Sequence, residues 1–388
     1  MDYRNLLAQR VTMIEASGIR KIFDLAATLK DAIDLSIGQP DFDVPDLLKE
    51  AAISAMRAGF NRYPPSVGYP ELRRLVLDHY QHLHGVRPED CLITSGGSGG
   101  LTLALLALVN PGDEVLVPDP FFVSYKHLTT MCGGTPVFYD TYPHFRPTAA
   151  QVERLITPRT KAVIIMSPGN PTGGVWPDKE KQDLAALARA KGLMVISDEV
   201  YEMFIYPAGT DSQFPNSRKL VSVPAGRSIG AYYPEGTLCV GGLSKTSAMT
   251  GWRLGWALGP KDVIVELTKL QQFTFVCAPS TAQKAALKAF DVDLSASVAA
   301  YRKKRDFLVA GLRRAGYECE EPGGAFYLFP RVPAKYKNGQ AFVEEAIARR
   351  MLLVPGHVFS ERDTHFRISY AAPDKTLEEG LKIFEAMG

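Results

Sequence analysis

The sequence predicts an α/β protein: a mostly parallel sheet covered by helices, followed by a smaller α+β region. Two observations carry this. The runs Lys161–Ser167 (KAVIIMS), Leu193–Asp198 (LMVISD), Leu238–Gly242 and Leu254–Gly259 are continuously apolar, of strand length, and alternate with helical patterns. Such runs belong to a parallel sheet buried on both faces. After about residue 260 the pattern changes to long helices, Ala296–Leu312 the clearest, and then to the short strands Ala325–Phe329 and His365–Ser369.

Taken in order, residues 1–45 hold one helix candidate and the turn-rich stretch Gly38–Pro45. Val115–Pro118 is a short strand candidate, and an apolar helix pattern covers Leu101–Val109. Asp178–Lys191 is an amphipathic helix pattern with Leu184, Leu187 and Ala188 on one face. Further helices are expected at Gln340–Arg350 and Leu377–Ala386. The basic run Arg302, Lys303, Lys304, Arg305 reads as a solvated helix face. Pro207–Thr237, rich in Ser, Pro, Gly and Tyr, is the least regular stretch and reads either as a surface excursion or as a functional or mobile segment.

A chain of 388 residues is comfortable as two domains, and 46% hydrophobic with 22% charged residues is ordinary for a globular protein with a sizeable core. A formal net charge of +2 gives no pull toward nucleic acid or acidic membranes. The five cysteines are scattered and form no C-x-x-C pair, so neither a disulfide framework, a zinc site nor any other metal centre is expected. No signal-peptide pattern opens the chain, and no window has the apolar length of a membrane span, so a cytoplasmic location is expected.

Four clusters sit where such strands end, which is where open parallel sheets bind ligands. Thr94–Leu101 (TSGGSGGL) precedes a helix pattern; it is either a tight turn or an anion site, since its glycines allow close backbone approach and a helix N-terminus favours an anion such as phosphate. It matches neither a dinucleotide fingerprint nor a P-loop, since Thr102 stands where a third glycine is needed and no G-K-[ST] follows. Ser167–Gly174 (SPGNPTGG) holds Asn170 extended before Pro171, either to expose its amide or simply to make a turn. Ser197–Tyr201 (SDEVY) ends an apolar strand with two acids, which need partners; Asp198 is a site acid or a helix N-cap. Gly241–Gly255 (GGLSKTSAMTGWRLG) puts Lys245 among small and apolar groups, an environment that strips a lysine of its proton.

Together the N-P-T-G, S-D-E-V-Y and S-K-x-x-x-M-T-G-W-R-x-G motifs resemble the class I/II aminotransferases, enzymes of pyridoxal phosphate (PLP) fold type I related to aspartate and aromatic aminotransferases. The resemblance runs from IGQPDF (Ile37–Phe42) to FRISYA (Phe366–Ala371). It implies a large domain over 46–285, built on a mostly parallel seven-stranded sheet between helices, and a small α+β domain from 1–45 plus 286–388. It implies ping-pong transfer of an amino group from an L-amino acid to a 2-oxo acid, with PLP as cofactor.

The resemblance also implies roles. Lys245 would be the Schiff-base lysine and proton carrier, and Asp198 the partner of the pyridine nitrogen. Tyr201 and Asn170 would meet the ring's phenolic oxygen. Gly97, Ser98, Gly99, Ser244 and Arg253 would hold the phosphate. Phe122 would stack on the ring. Arg367 would grip the substrate carboxylate, helped by Asn170 and Gly38. Tyr63 would reach the phosphate from the neighbouring subunit of a homodimer.

One bacterial aspartate aminotransferase subgroup places a lysine after the G-G of the phosphate loop to read the distal carboxylate; here Ser98 carries no charge. That, with SGIRKIFDLA and Phe121, Phe122, Phe273 and Phe275, favours a neutral or aromatic donor, with aspartate still open. A carbon–sulfur β-lyase on the same cofactor is the nearest rival. A PLP-binding regulator is the next; it needs a DNA-binding module, and about 36 residues before IGQPDF are too few for one.

Overall fold

The computed structural model describes residues 3–16, 18–19, 22, 29, 31–206 and 226–388. Most of SGIRKIFDLA and residues 207–225 of the irregular stretch lie outside the described residues.

Twelve strands form three sheets among the described residues. In chain order they are β1 (Ile33–Asp34), β2 (Asp90–Ser95), β3 (Glu114–Asp119), β4 (Thr135–Asp140), β5 (Thr160–Met166), β6 (Met194–Asp198), β7 (Thr237–Gly242), β8 (Leu254–Gly259), β9 (Tyr327–Leu328), β10 (Met351–Leu352), β11 (Val354–Pro355) and β12 (Phe366–Ser369). The seven-stranded sheet runs β2-β8-β7-β6-β5-β3-β4. Every pairing is parallel except the two made by β8, which is antiparallel to β2 and β7. The continuously apolar run Leu254–Gly259 does not reveal this reversal. The eleven residues from Leu243 to Arg253 form only a four-residue helix and a 3-10 turn, too little to carry the chain back along the sheet, so the strand returns the way it came.

Strand periodicity divides the core. On β5, Ala162, Ile164 and Met166 join the cluster that includes Leu101, Leu103 and Leu105 of helix Gly96–Leu108. Val163 and Ile165 point to the other face, where Leu184, Ala185 and Ala188 of helix Asp178–Lys191 cover them. Each such Ile or Val contributes about 1.5–3 kcal/mol by leaving water. Gly192 ends that helix in the left-handed region (φ 66°), and Arg189 and Lys191 sit at its negative dipole end.

The remaining strands, β1 excepted, lie in the C-terminal part. β12 pairs with β11 and β9, and β1 pairs in parallel with β10, tying residues 33–34 to 351–352. Helix Ser295–Arg314 corrects the reading of its basic run. Tyr301, Arg305 and Leu308 share its buried face at the i, i+4, i+7 spacing, so Arg305 is buried against Glu321 and Pro322, and Lys304 reaches Asp41. No described helix is long and apolar enough to cross a membrane.

Candidate active site

The carboxyl ends of β2, β3, β5, β6 and β7 gather on one side of the sheet. Because β8 runs backwards, its beginning lies on that side too, and Arg253 immediately precedes it. The reversal brings Lys245 and Arg253 to one place from a single connection.

Lys245 sits in the short helix Leu243–Thr246 after β7. Its Nζ donates to the Gly38 carbonyl at 2.6 Å and lies 5.9 Å from the Tyr201 ring. Burial lowers its pKa to about 8; Arg367 and Arg253 push the same way, and Asp198 opposes them. An amine with that pKa exchanges protons readily near neutral pH.

Asp198 ends β6, fully buried. The Tyr125 hydroxyl donates to its Oδ2 at 2.7 Å, and the Val200 N–H approaches Oδ1 at 3.4 Å. Burial lifts its pKa to about 6 against these hydrogen bonds. Glu199, next in sequence, points the opposite way, accepting from Ser197 and Ser228.

Arg367 projects from β12 and is 1% exposed. Its guanidinium lies between the rings of Tyr327 and Phe359, at 4.7 and 4.6 Å. Nη2 donates to the Ser36 carbonyl at 2.6 Å and Nη1 to Asn170 Oδ1 at 3.0 Å, while Nε has no hydrogen-bond partner among the described residues. Both acceptors are neutral, so among the described residues the buried charge has no counter-charge at hydrogen-bond distance. A guanidinium only donates, which fixes the Asn170 amide: oxygen toward Arg367, NH₂ away. Both X-Pro bonds of that turn, Ser167–Pro168 and Asn170–Pro171, are cis.

The glycine loop differs from its expected form, for the helix starts at Gly96 rather than Leu101, so Gly97, Ser98 and Gly99 form its first turn. The unbonded N–H groups of that turn are therefore supplied by the glycines and Ser98. Gly96 has φ 70°, and a Cβ there would stand 2.7 Å from Arg253 Nη2. At Gly255 a Cβ would meet Gly97 N at 2.6 Å, so this loop is pressed against β8. Arg253 itself is exposed, with Nη1 donating to the Thr250 carbonyl at 3.1 Å.

A family model for aminotransferase class I and II matches residues 30–384. The chain belongs to this family. It is 36% identical over 393 residues to a probable aspartate/prephenate aminotransferase of Thermus aquaticus, with 97% of this chain and 98% of that one covered. It is 34% identical over 391 residues to aromatic-amino-acid aminotransferase 2 of Thermococcus litoralis, covering 98% and 97%. The structure of an aspartate aminotransferase from Thermus thermophilus with maleate superposes with a TM-score of 0.91 at 34% identity, covering 98% of this chain and 99% of that one. Aminotransferases of this class are PLP enzymes of fold type I that pass an amino group from an amino acid to a 2-oxo acid by a ping-pong route.

In this aminotransferase the structure brings Lys245, Gly38, Asp198, Tyr201, Asn170 and Arg367 together, with Ser244 beside Lys245 and Phe122 edge-on to Tyr125. Ser98 faces outward on the first turn, and Tyr63 stands apart, 85% exposed. Three aromatic residues at the site are missing from the sequence reading. Tyr125 holds Asp198, the Tyr327 hydroxyl meets that of Tyr201 at 2.7 Å, and Phe359 backs Arg367. Tyr125 lies three residues after Phe122, in a helix that brings it back against that residue. Tyr327 and Phe359 lie far from the motifs in sequence and carry no local signal.

Proposed function

We propose that this aminotransferase takes neutral or aromatic L-amino acids as donors, acting as a cytoplasmic homodimer with Lys245 as its reacting amine. The observation that carries the reading is Arg367, a buried cation with neutral acceptors and a spare Nε, suited to a carboxylate brought by a substrate.

The residues present fit PLP. Arg253 over Gly96, the first turn at Gly97, Ser98 and Gly99, and the neighbouring Ser244 suit its phosphate. Asp198 suits the ring nitrogen, Phe122 the ring face, and the Asn170 amide and Tyr201 hydroxyl the phenolic oxygen. When bound, PLP supplies the carbonyl that condenses with amino groups and the ring that takes up electrons from the substrate α-carbon. Lys245 Nζ would be the group that takes up and returns the proton at the substrate α-carbon, a role its lowered pKa favours. Arg367 and Asn170 hold the α-carboxylate and so fix which bond at the α-carbon faces Lys245. Tyr327 and Phe359 keep water from the guanidinium, which strengthens its grip.

An uncharged Ser98 supports the donor class, as does the apolar cluster of Phe145, Phe329, Val354, Val358 and Phe359 beside Arg367. Tyr63 supports the dimer: with Phe273, also 85% exposed, and Phe60 and Phe275 it leaves apolar surface for a second copy to cover. The β1–β10 pairing supports a small domain of 1–45 plus 286–388 against a large one of 46–285.

The test is a half-reaction screen. Single amino acids are mixed with PLP-loaded protein and conversion to the pyridoxamine form is followed by absorbance. Phenylalanine, tyrosine or neutral aliphatic donors are expected to convert it faster than aspartate; the reverse order overturns the donor class.

A further inference from the structure

Asp198 is held by one strong hydrogen bond, and the group that makes it is outside every motif considered so far. Tyr125 lies in the first turn of helix Ser124–Met131, fully buried, with its backbone N–H on the Phe122 carbonyl at 3.0 Å. Its ring meets the Phe122 ring edge-on, centroids 5.6 Å apart and planes at 82°. Its hydroxyl reaches Asp198 Oδ2 at 2.7 Å. One side chain thus touches both the aromatic ring and the carboxylate proposed to meet the cofactor.

The hydroxyl can act on Asp198 only as a donor, because an ionised carboxylate only accepts. Burial and the adjoining carboxylate raise the Tyr125 pKa well above that of a free phenol, so the proton stays on Tyr125. A neutral donor fixed on Oδ2 favours the ionised form of Asp198 and leaves Oδ1 with a single long contact to the Val200 N–H. Removing the hydroxyl leaves a buried carboxylate without its best partner, which drives it toward protonation.

We infer that Tyr125 is a positioning residue: it orients Asp198 and keeps it ionised, so that Oδ1 can hold a protonated ring nitrogen of PLP. The inference rests on the proposed pairing of Asp198 with that nitrogen. Tyr125 and Asp198 form a relay in which the tyrosine acts through the carboxylate.

The test uses Tyr125→Phe, which keeps the ring packing against Phe122, with Asp198→Asn and the double variant. PLP affinity is measured by equilibrium dialysis, and the protonation state of the ring nitrogen by NMR of the protein loaded with ¹⁵N-labelled PLP. Tyr125→Phe is expected to weaken PLP binding about ten-fold, the value of one good hydrogen bond to a charge. It is also expected to move the ¹⁵N signal toward the unprotonated position. In the Asp198→Asn background the same change should do neither. A wild-type ¹⁵N signal in Tyr125→Phe, or an equal loss of affinity in both backgrounds, overturns the relay and leaves Tyr125 a packing residue. If Asp198→Asn itself leaves the ¹⁵N signal unmoved, the failure lies in the Asp198 pairing.

Discussion

Two carboxylates four residues apart, Asp198 and Glu202, are both taken out of water and end in opposite states. Burial lifts Asp198 to a pKa of about 6, since its main partner is a neutral phenol. Burial also works against Glu202, but His79 and His84 outweigh it and hold the carboxyl at about 2. Glu202 Oε2 lies 3.4 Å from His84 Nε2 and Oε1 3.7 Å from His79 Nε2. His84 is committed by its other nitrogen: Nδ1 accepts the Ser228 N–H at 3.0 Å, so Nε2 carries the proton and faces Glu202. His84, Glu199 and Glu202 are close enough to hold a metal ion, yet this arrangement spends their atoms on one another and on Ser228. One turn of chain therefore gives one carboxylate two imidazole partners and leaves the other with a neutral phenol. The difference marks where an outside molecule is needed.

The largest effect is expected on the Asp198 side. Lys245→Ala should cost at least about 10³-fold in turnover, the scale of a lost general base, and remove the visible absorbance of bound cofactor. Retained turnover would remove Lys245 from the centre of the site. Arg367→Ala should raise the KM for amino acids about 100-fold, as for a lost charge-assisted fork, with PLP affinity nearly unchanged. Equal effects on both would assign the arginine to the cofactor instead.

The Glu202 side should respond in stability. Glu202→Gln should destabilise the fold by about 3 kcal/mol at pH 7 in urea unfolding. Because the folded pKa is depressed, that contribution is complete above the unfolded value near 4.5 and is lost as pH falls toward 2. Most of the gap between variant and wild type should have closed by pH 3. Asp198 has the opposite sign: its raised pKa makes the ionised form a cost, growing as pH rises from about 4 and complete above about 6. Cofactor-free Asp198→Asn should therefore be more stable than wild type at pH 7, by somewhat under about 3 kcal/mol. Saturating PLP should reverse that order. No reversal would mean that Asp198 is as self-contained as Glu202.

The sheet was legible because a strand buried on both faces has little freedom of composition, and Asp178–Lys191 was legible because its period and end charges agree. The Lys245 and Asn170 positions were legible because small residues and prolines crowd around them, and Asp198 because two acids close an apolar strand. The direction of β8 was not, since an apolar run has no polarity; only the length of the preceding connection carries that information. The glycine-rich start of helix Gly96–Leu108 was not, because propensity disfavours glycine and close approach to β8 and Arg253 requires it. The buried place of Arg305 was hidden by its charge, and Tyr327 by distance along the chain.

The β7–β8 reversal has a consequence for how this chain tolerates change in length. Other connections on this side of the sheet carry one site residue or one motif each, so a loop inserted there disturbs one grip. Between Gly242 and Leu254 a single added residue shifts Lys245 relative to Arg253 and, if absorbed by β8, turns every side chain of that strand to the wrong face. Those eleven positions act as a ruler with a site residue near each end.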